Sequence, residues 1–179
     1  MTYTLQHKAT RGDIMSKILS SWSGMRKYLE QEMLAPSLQG RIRFGCKSYH
    51  FKSFEVYIDS ELAKQFSWEI AQKYVRENSA LYDNNLYGNT ELFGSFIKIP
   101  LTLRTEYGED EFCDALRDYR QQTIRDSISS DNPIIRMFAI LDRRLGKRTI
   151  EKLSDEISKQ PLWLQQFYKL RIDAEFKPT

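Results

Sequence analysis

The chain holds few of the residues that perform metal or nucleophilic chemistry, and they are poorly spaced for it. Its two histidines, His7 and His50, and two cysteines, Cys46 and Cys113, form no Cys-x-x-Cys or His-x-x-x-His pair. Zinc sites draw on such closely spaced ligands. A Cys46–His50 pair would act as a nucleophile only with a third, orienting group, which the sequence does not indicate. We therefore predict no metal, no cofactor and no catalytic residue.

Phosphate-binding loops and diagnostic carboxylate pairs are also missing from the sequence. Neither G-x-x-x-x-G-K-[ST] nor G-x-G-x-x-G occurs. Residues 109–111 are acidic, but they fall at a predicted helix start, where carboxylates interact favourably with the helix dipole. An enzyme whose active site assembles from distant positions leaves no such local motif. It is an alternative hypothesis, although the sequence favours a protein without catalytic activity.

The most distinctive segment runs from Asn132 to Leu153 and reads NPIIRMFAILDRRLGKRTIEKL. Five basic residues surround a predicted bend between two helices, and we call them the basic corner: Arg143, Arg144, Lys147, Arg148 and Lys152. One interpretation is a binding patch for an anion, a phosphate or a nucleic acid. The structural interpretation, which we favour, is that these cations bind helix carbonyls near Gly146 and pair with carboxylates.

A second basic cluster lies on a predicted strand and consists of Arg41, Arg43 and Lys47. The facing strand offers partners for it: Glu55, Tyr57 and Asp59. Cross-strand charge pairing is the interpretation we favour. A shared groove between this cluster and the basic corner would instead favour nucleic-acid binding.

The elements that position these residues begin with strands. Residues 41–47 and 53–59 alternate apolar with polar positions, as in an antiparallel pair with one solvated face. Residues 62–67 predict a third strand or the start of a helix. A helix is predicted over 16–34, and Ser21 or Ser23 could cap a later start of it. Another helix is predicted over 68–78.

The second half of the chain is predicted to be mainly helical. An edge strand, interrupted by Pro100, is expected over 96–103. A helix is expected over 109–128. Asn132-Pro133 starts the next helix, with Gly146 as its C′ residue. Further helices follow over 149–159, with Thr149 as the cap, and after Pro161. The last helix is apolar on several sides, as expected of a core helix or, alternatively, a partner surface.

Composition places the chain among ordinary globular proteins. It has 179 residues, 41% hydrophobic and 28% charged, with a net charge of +3. Strands followed by helices predict an α+β fold, with a small antiparallel β-meander packed against a mainly helical C-terminal half. We expect a single domain over 16–179 and a loose arm over 1–15. No apolar run is long enough to span a bilayer, and the two cysteines indicate free thiols in the cytoplasm.

The segment from residue 132 also carries a resemblance. The pattern NPxxRxxAxLDRRLGKR, together with Trp22 and the stretch LQGRIRF over 38–44, resembles a family of short bacterial proteins of uncharacterised function. The resemblance extends from Ser16 over most of the chain. It implies a bacterial, cytoplasmic protein, and it transfers no catalytic residue.

These observations predict a non-enzymatic binding or interaction protein that acts on a protein partner or on itself. Its surface would combine the basic corner with the aromatic last helix. A nucleic-acid or phosphate-binding protein that uses residues 143–152 is the alternative, since only a local patch could supply the phosphate contacts. We expect no membrane association.

Overall fold

The structure, a computed structural model, describes residues 21–49, 51–78 and 101–176. The first half contains these elements in chain order: α1 (Trp22–Lys27), a π-helical segment (Tyr28–Met33), a 3-10 turn (Pro36–Leu38), β1 (Ile42–Tyr49), β2 (Phe51–Ile58), β3 (Glu61–Ser67) and α2 (Trp68–Asn78). The second half contains these: a 3-10 turn (Leu101–Leu103), α3 (Glu109–Gln121), α4 (Ile124–Ile128), α5 (Pro133–Leu141), α6 (Lys147–Leu153), a 3-10 segment (Ser154–Lys159) and α7 (Leu162–Phe176). The α+β prediction is confirmed.

The three strands form one antiparallel sheet in the order β1-β2-β3. Phe44 lies opposite Val56 across β1 and β2, and Phe54 lies opposite Phe66 across β2 and β3. All four side chains are buried. Because side chains alternate between the faces of a strand, the apolar–polar alternation had predicted both the strands and their buried face. Residues from 61 onward form the third strand rather than a helix.

Phe112 of α3 links the sheet to the helices. Its ring centroid lies 4.8 Å from that of Phe54 and 4.9 Å from that of Phe66. On its other side it lies 5.3 Å from Phe138 of α5, and Phe138 in turn lies 5.5 Å from Tyr119. These rings belong to a hydrophobic core shared by the sheet, α1, α3, α5 and α7. The core thereby fixes the end of α5, where the basic corner begins.

The first helix begins at the capping residue that the sequence suggested. Ser21 Oγ accepts a hydrogen bond from Gly24 N at 3.2 Å, and residues 16–20 lie outside the described part of the chain. The helix widens into π geometry before it ends, with Leu34 N bonded to Leu29 O at 3.1 Å. The chain then becomes extended before Pro36, as the residue preceding a proline prefers.

The prediction of a single helix over 109–128 is wrong, because the structure has two helices there. Gln122 is extended, with φ −94° and ψ 160°, and it separates α3 from α4. Thr123 then caps α4, because its hydroxyl oxygen accepts a hydrogen bond from Asp126 N at 3.2 Å. A threonine that can cap competes with the continuation of the preceding helix. Apolar periodicity alone did not show that break.

The turn between α5 and α6 also differs from the prediction. Asn132 starts α5 as expected, since its Oδ1 accepts a hydrogen bond from Ile134 N at 2.9 Å. However, the C-cap of α5 is Asp142, and Gly146, with φ −77°, is the N-cap of α6. Gly146 therefore does not adopt the left-handed conformation of a C′ glycine. Thr149 lies inside α6 and does not cap it.

The last helix belongs to the core. Leu164, Phe167, Tyr168 and Leu170 are all buried. Most of the aromatic surface proposed for partner binding is therefore used in packing, which corrects that part of the expected binding surface. Among the described residues of this helix, the large apolar side chains that remain exposed are Leu162 and Phe176.

Some predictions fall partly or wholly outside the described residues. The arm over 1–15 and His50 lie there, as does the strand predicted over 96–103 up to residue 100. Residues 101–103 form a 3-10 turn, so the strand prediction is wrong for them. The single domain stays a prediction. Among the described helices, none is both long and apolar enough to cross a bilayer.

Candidate binding site

The basic corner is held in place by backbone hydrogen bonds to the segment that follows α1. Ala35 N donates to Leu141 O at 2.9 Å, and Arg143 N donates to Met33 O at 2.9 Å. Between them, Leu34 and Asp142 form an isolated antiparallel bridge. The reversal of the chain after α5 is thus fixed against the N-terminal part of the fold.

Asp142 organises the interior of the basic corner. Its carboxylate is buried and accepts hydrogen bonds from Arg144 N at 2.6 Å and from the Arg144 guanidinium at 2.8–3.1 Å. The hydroxyl of the buried Tyr119 donates to the same carboxylate. Burial, and then the neighbouring Asp142, raise the pKa of Tyr119 well above its usual range. Tyr119 therefore stays a neutral donor that ties α3 to the end of α5.

The side chain of Arg144 makes its hydrogen bonds within this network. Besides Asp142 it donates to the Tyr119 hydroxyl oxygen at 2.9 Å. Its pKa is raised, first by the hydrogen bond to Asp142. For Arg144, the contacts therefore agree with internal pairing to a carboxylate rather than with a binding patch. Its partner Tyr119 was not identified as such, because the two residues lie far apart in the chain.

Lys147 is only loosely paired. Its ammonium lies 3.8 Å from Glu175 Oε2, which is the outer limit of an ion pair. The other oxygen of Glu175 is already bound by Arg171 at 2.9 Å and by the Ser37 hydroxyl at 2.6 Å. Glu175 therefore pairs mainly with the buried Arg171, and the side chain of Lys147 remains 70% exposed.

Arg143, Arg148 and Lys152 are exposed, and their side chains make no hydrogen bond or ion pair with any residue that the structure describes. Arg148 and Lys152 lie four residues apart on α6, hence side by side on one helix face. Like charges at this spacing destabilise a helix. Within the described part of the chain, the internal pairing expected for the whole corner is absent at these three positions.

The first turn of α6 carries charges of the unfavourable sign. Lys147 and Arg148 occupy its first two positions, and the turn contains no acidic residue. The positive end of the helix dipole repels cations there. The stability of α6 therefore does not account for the presence of cations at these two positions. Arg144 differs, because its contacts stabilise the turn.

Reversing the charge of Arg148 should stabilise the fold. Arg148→Glu places an anion at the helix N-terminus and a Glu–Lys pair at i,i+4 with Lys152, so the free energy of unfolding should rise by about 0.5–1.5 kcal/mol. Urea unfolding followed by circular dichroism measures this change. As a control, Lys169→Glu makes the same charge change within α7, away from a helix end, and should alter stability less. A loss of stability in Arg148→Glu would contradict the electrostatic argument.

The second basic cluster pairs mostly across strands. Arg41 binds Asp59 through two hydrogen bonds of 2.6 and 2.9 Å, and Lys47 lies 2.7 Å from the buried Glu55. Arg43 is exposed opposite Tyr57 and has no hydrogen bond or ion pair to a described residue. Within the described part of the chain, no such contact joins this cluster to the basic corner.

Sequence reasoning missed several buried polar groups. Lys64 lies on the core-facing side of β3, where its ammonium binds Glu106 at 2.6 Å and Thr105 O at 2.7 Å. Burial lowers the pKa of Lys64, and Glu106 opposes that effect. Alternation assigns such a position to an apolar residue, so the pairing left no sequence signal. In the ranges 21–49, 51–78 and 101–176 no group of His, Cys, Asp or Glu side chains could hold a metal ion.

Comparison with known proteins gives one family. No curated protein and no solved structure matches the chain. The pattern of the SF0329 protein family matches residues 21–172. That range includes the sheet, α1 to α6 and most of α7. It agrees with the resemblance noted in the sequence, and the chain belongs to the SF0329 protein family.

Proposed function

We propose that this protein is a non-enzymatic binding protein of the bacterial cytoplasm that attaches to an acidic protein partner through the basic corner. The observation that carries the proposal is the state of Arg143, Arg148 and Lys152. All three are exposed, and their side chains are unpaired with the residues that the structure describes. Arg144 acts as the internal support of this surface and does not contact the partner.

The cost of these cations to the fold supports a binding role. Lys147 and Arg148 face the positive end of α6, and Arg148 and Lys152 repel each other along its side. Residues that oppose local stability are frequent at functional surfaces. Carboxylates of a partner would relieve both repulsions at once.

An exposed aromatic residue favours a protein partner over a nucleic acid. Phe176 is 45% exposed, and it follows Glu175, whose carboxylate lies near Lys147. Aromatic residues and arginines are enriched where proteins bind proteins. Binding to nucleic acid depends on neutralising many phosphates, and the corner offers few free cations.

The test uses a fluorescein-labelled peptide of glutamate with interspersed leucine, and a short duplex DNA, in anisotropy titrations. We expect saturable peptide binding that Arg143→Ala/Arg148→Ala/Lys152→Ala weakens by about tenfold, since each exposed charge pair contributes modestly. DNA should bind more weakly than the peptide.

The matched control removes three exposed cations that are likewise unpaired with described residues but lie elsewhere: Lys27→Ala/Arg125→Ala/Lys169→Ala. It should leave peptide affinity unchanged. An equal loss in the control would show that net charge alone drives binding. Tighter binding of DNA than of peptide, or no saturable peptide binding, would equally overturn the proposal. Sedimentation of the protein alone separates self-association from partner binding.

A further inference from the structure

The exposed face of α3 carries two acidic residues, Asp114 and Asp118, four positions apart. Residues at this spacing lie side by side on a helix, so the two carboxylates repel each other. Asp118 also belongs to the last turn of α3, where the negative end of the helix dipole opposes an anion. Asp114 binds the exposed Arg117 at 2.5 Å, whereas Asp118 has no hydrogen bond or ion pair to a described residue. The stability of α3 therefore does not account for Asp118.

This acidic pair mirrors the cations of α6. Arg148 and Lys152 are likewise exposed and four residues apart, and Arg148 lies at the helix end whose dipole repels it. Glu151 of the same helix makes no ion pair with either cation. Four residues of an α-helix rise by about 6 Å, so the acidic pair and the basic pair have the same spacing. Two ion pairs can therefore form at once when α6 of one molecule lies against α3 of another.

The helix dipoles determine the direction of this contact. An antiparallel arrangement brings the N-terminal end of α6 to the C-terminal end of α3, so dipole ends of opposite sign meet. In that arrangement Arg148 faces Asp118, and Lys152 faces Asp114. The contact relieves the repulsion within each pair and the unfavourable dipole interactions of Arg148 and Asp118.

The fold holds the two charged surfaces close together in one chain. Tyr119, which follows Asp118, donates a hydrogen bond to Asp142, and Arg144 binds the Tyr119 hydroxyl oxygen at 2.9 Å. The C-terminal end of α3 is thus anchored directly to the basic corner. A two-fold dimer requires each molecule to offer both surfaces to its partner at once. Neighbouring surfaces of opposite charge meet that requirement.

We infer that the acidic partner of the basic corner is a second copy of this chain, bound through α3 in a two-fold symmetric dimer. α6 of each molecule lies antiparallel to α3 of the other, so each ion pair occurs twice. The inference rests on the function proposed above and names the partner. Because exposed ion pairs each contribute little, the dimer is weak and dissociates as the salt concentration rises.

Charge reversal with rescue is the test, and sedimentation equilibrium at low salt is the measurement. Arg148→Glu and Asp118→Lys each turn an attraction into a repulsion at both contacts, so each should weaken self-association by about tenfold or more. Each change also gives its own helix a favourable i,i+4 pair and a favourable charge at the helix end, so neither should unfold the protein.

An equimolar mixture of the two variants should associate about as tightly as the unaltered protein. The new anion of one variant then faces the new cation of the other, and the second contact keeps its original residues. The matched control reverses two exposed charges elsewhere, Lys169→Glu and Asp155→Lys. Alone or mixed, the control variants should associate as the unaltered protein does.

A protein that is monomeric at every concentration would overturn the inference. So would undiminished association of Arg148→Glu, a mixture of the first two variants that stays monomeric, or an equal loss in the controls. The proposed function fails separately. If the protein is monomeric but binds the acidic peptide, only the dimer is overturned, and if it does neither, both proposals are overturned.

Discussion

Replacing Asp142 by alanine is expected to lower the free energy of unfolding by about 3 kcal/mol, because it leaves the buried hydroxyl of Tyr119 without an acceptor and removes charge-assisted hydrogen bonds. The carboxylate is 2% exposed and accepts hydrogen bonds from Arg144 and Tyr119. Arg144 itself is half exposed and can turn to water, which keeps the loss below that for a fully buried pair. Urea unfolding followed by circular dichroism measures the change.

Two variants separate the causes of that loss. Asp142→Asn keeps the shape and the acceptor oxygen and loses the charge, so it should cost about half as much. Asp155→Ala removes an exposed carboxylate that has no hydrogen bond or ion pair to a described residue, and it should change stability by less than about 0.5 kcal/mol. A loss of similar size in Asp142→Ala and Asp155→Ala would contradict the role given to Asp142.

Glu111→Ala should destabilise the protein by a similar amount, about 3 kcal/mol, because it strands a buried cation. Arg104 is 3% exposed, and its guanidinium binds the two oxygens of Glu111 at 2.5 and 2.8 Å. Glu111 also accepts a hydrogen bond from Gly108 N at 2.7 Å, at the start of α3. Thermal and urea unfolding of the variant measure the loss.

The neighbouring Asp110 provides the control for this prediction. It is an exposed acid in the same first turn of α3, and it has no hydrogen bond or ion pair to a described residue. Asp110→Ala removes only its favourable interaction with the helix dipole, about 0.3–1 kcal/mol. Arg104→Met/Glu111→Leu should recover part of the loss, because apolar residues often replace a buried ion pair well. A double variant less stable than Glu111→Ala would contradict the stranded-charge explanation.

Local patterns predicted the parts of the fold that local physics decides. Alternation located β1 and β2, and Asn132-Pro133 located the start of α5, because face alternation and end-capping depend on residues close in the chain. The end of that helix was not predicted correctly. Asp142 is its C-cap and binds Tyr119, which is distant in sequence, and no short-range pattern shows such a partner.

The same limit applies to the candidate site. Five cations near a bend were visible in the sequence, but the sequence did not show which of them the fold uses. Arg144 is taken by Asp142 and Tyr119, whereas Arg143, Arg148 and Lys152 make no such contact with the described residues.

The bridge between Leu34 and Asp142 has a consequence for protein synthesis. The two residues leave the ribosome at well-separated times, and contacts between distant segments close only after the intervening chain is available. A nascent chain that ends before α5 has no partner for its 33–35 segment and no anchored cationic surface. Any molecule that requires that anchored surface therefore distinguishes a finished, folded chain from an unfinished one.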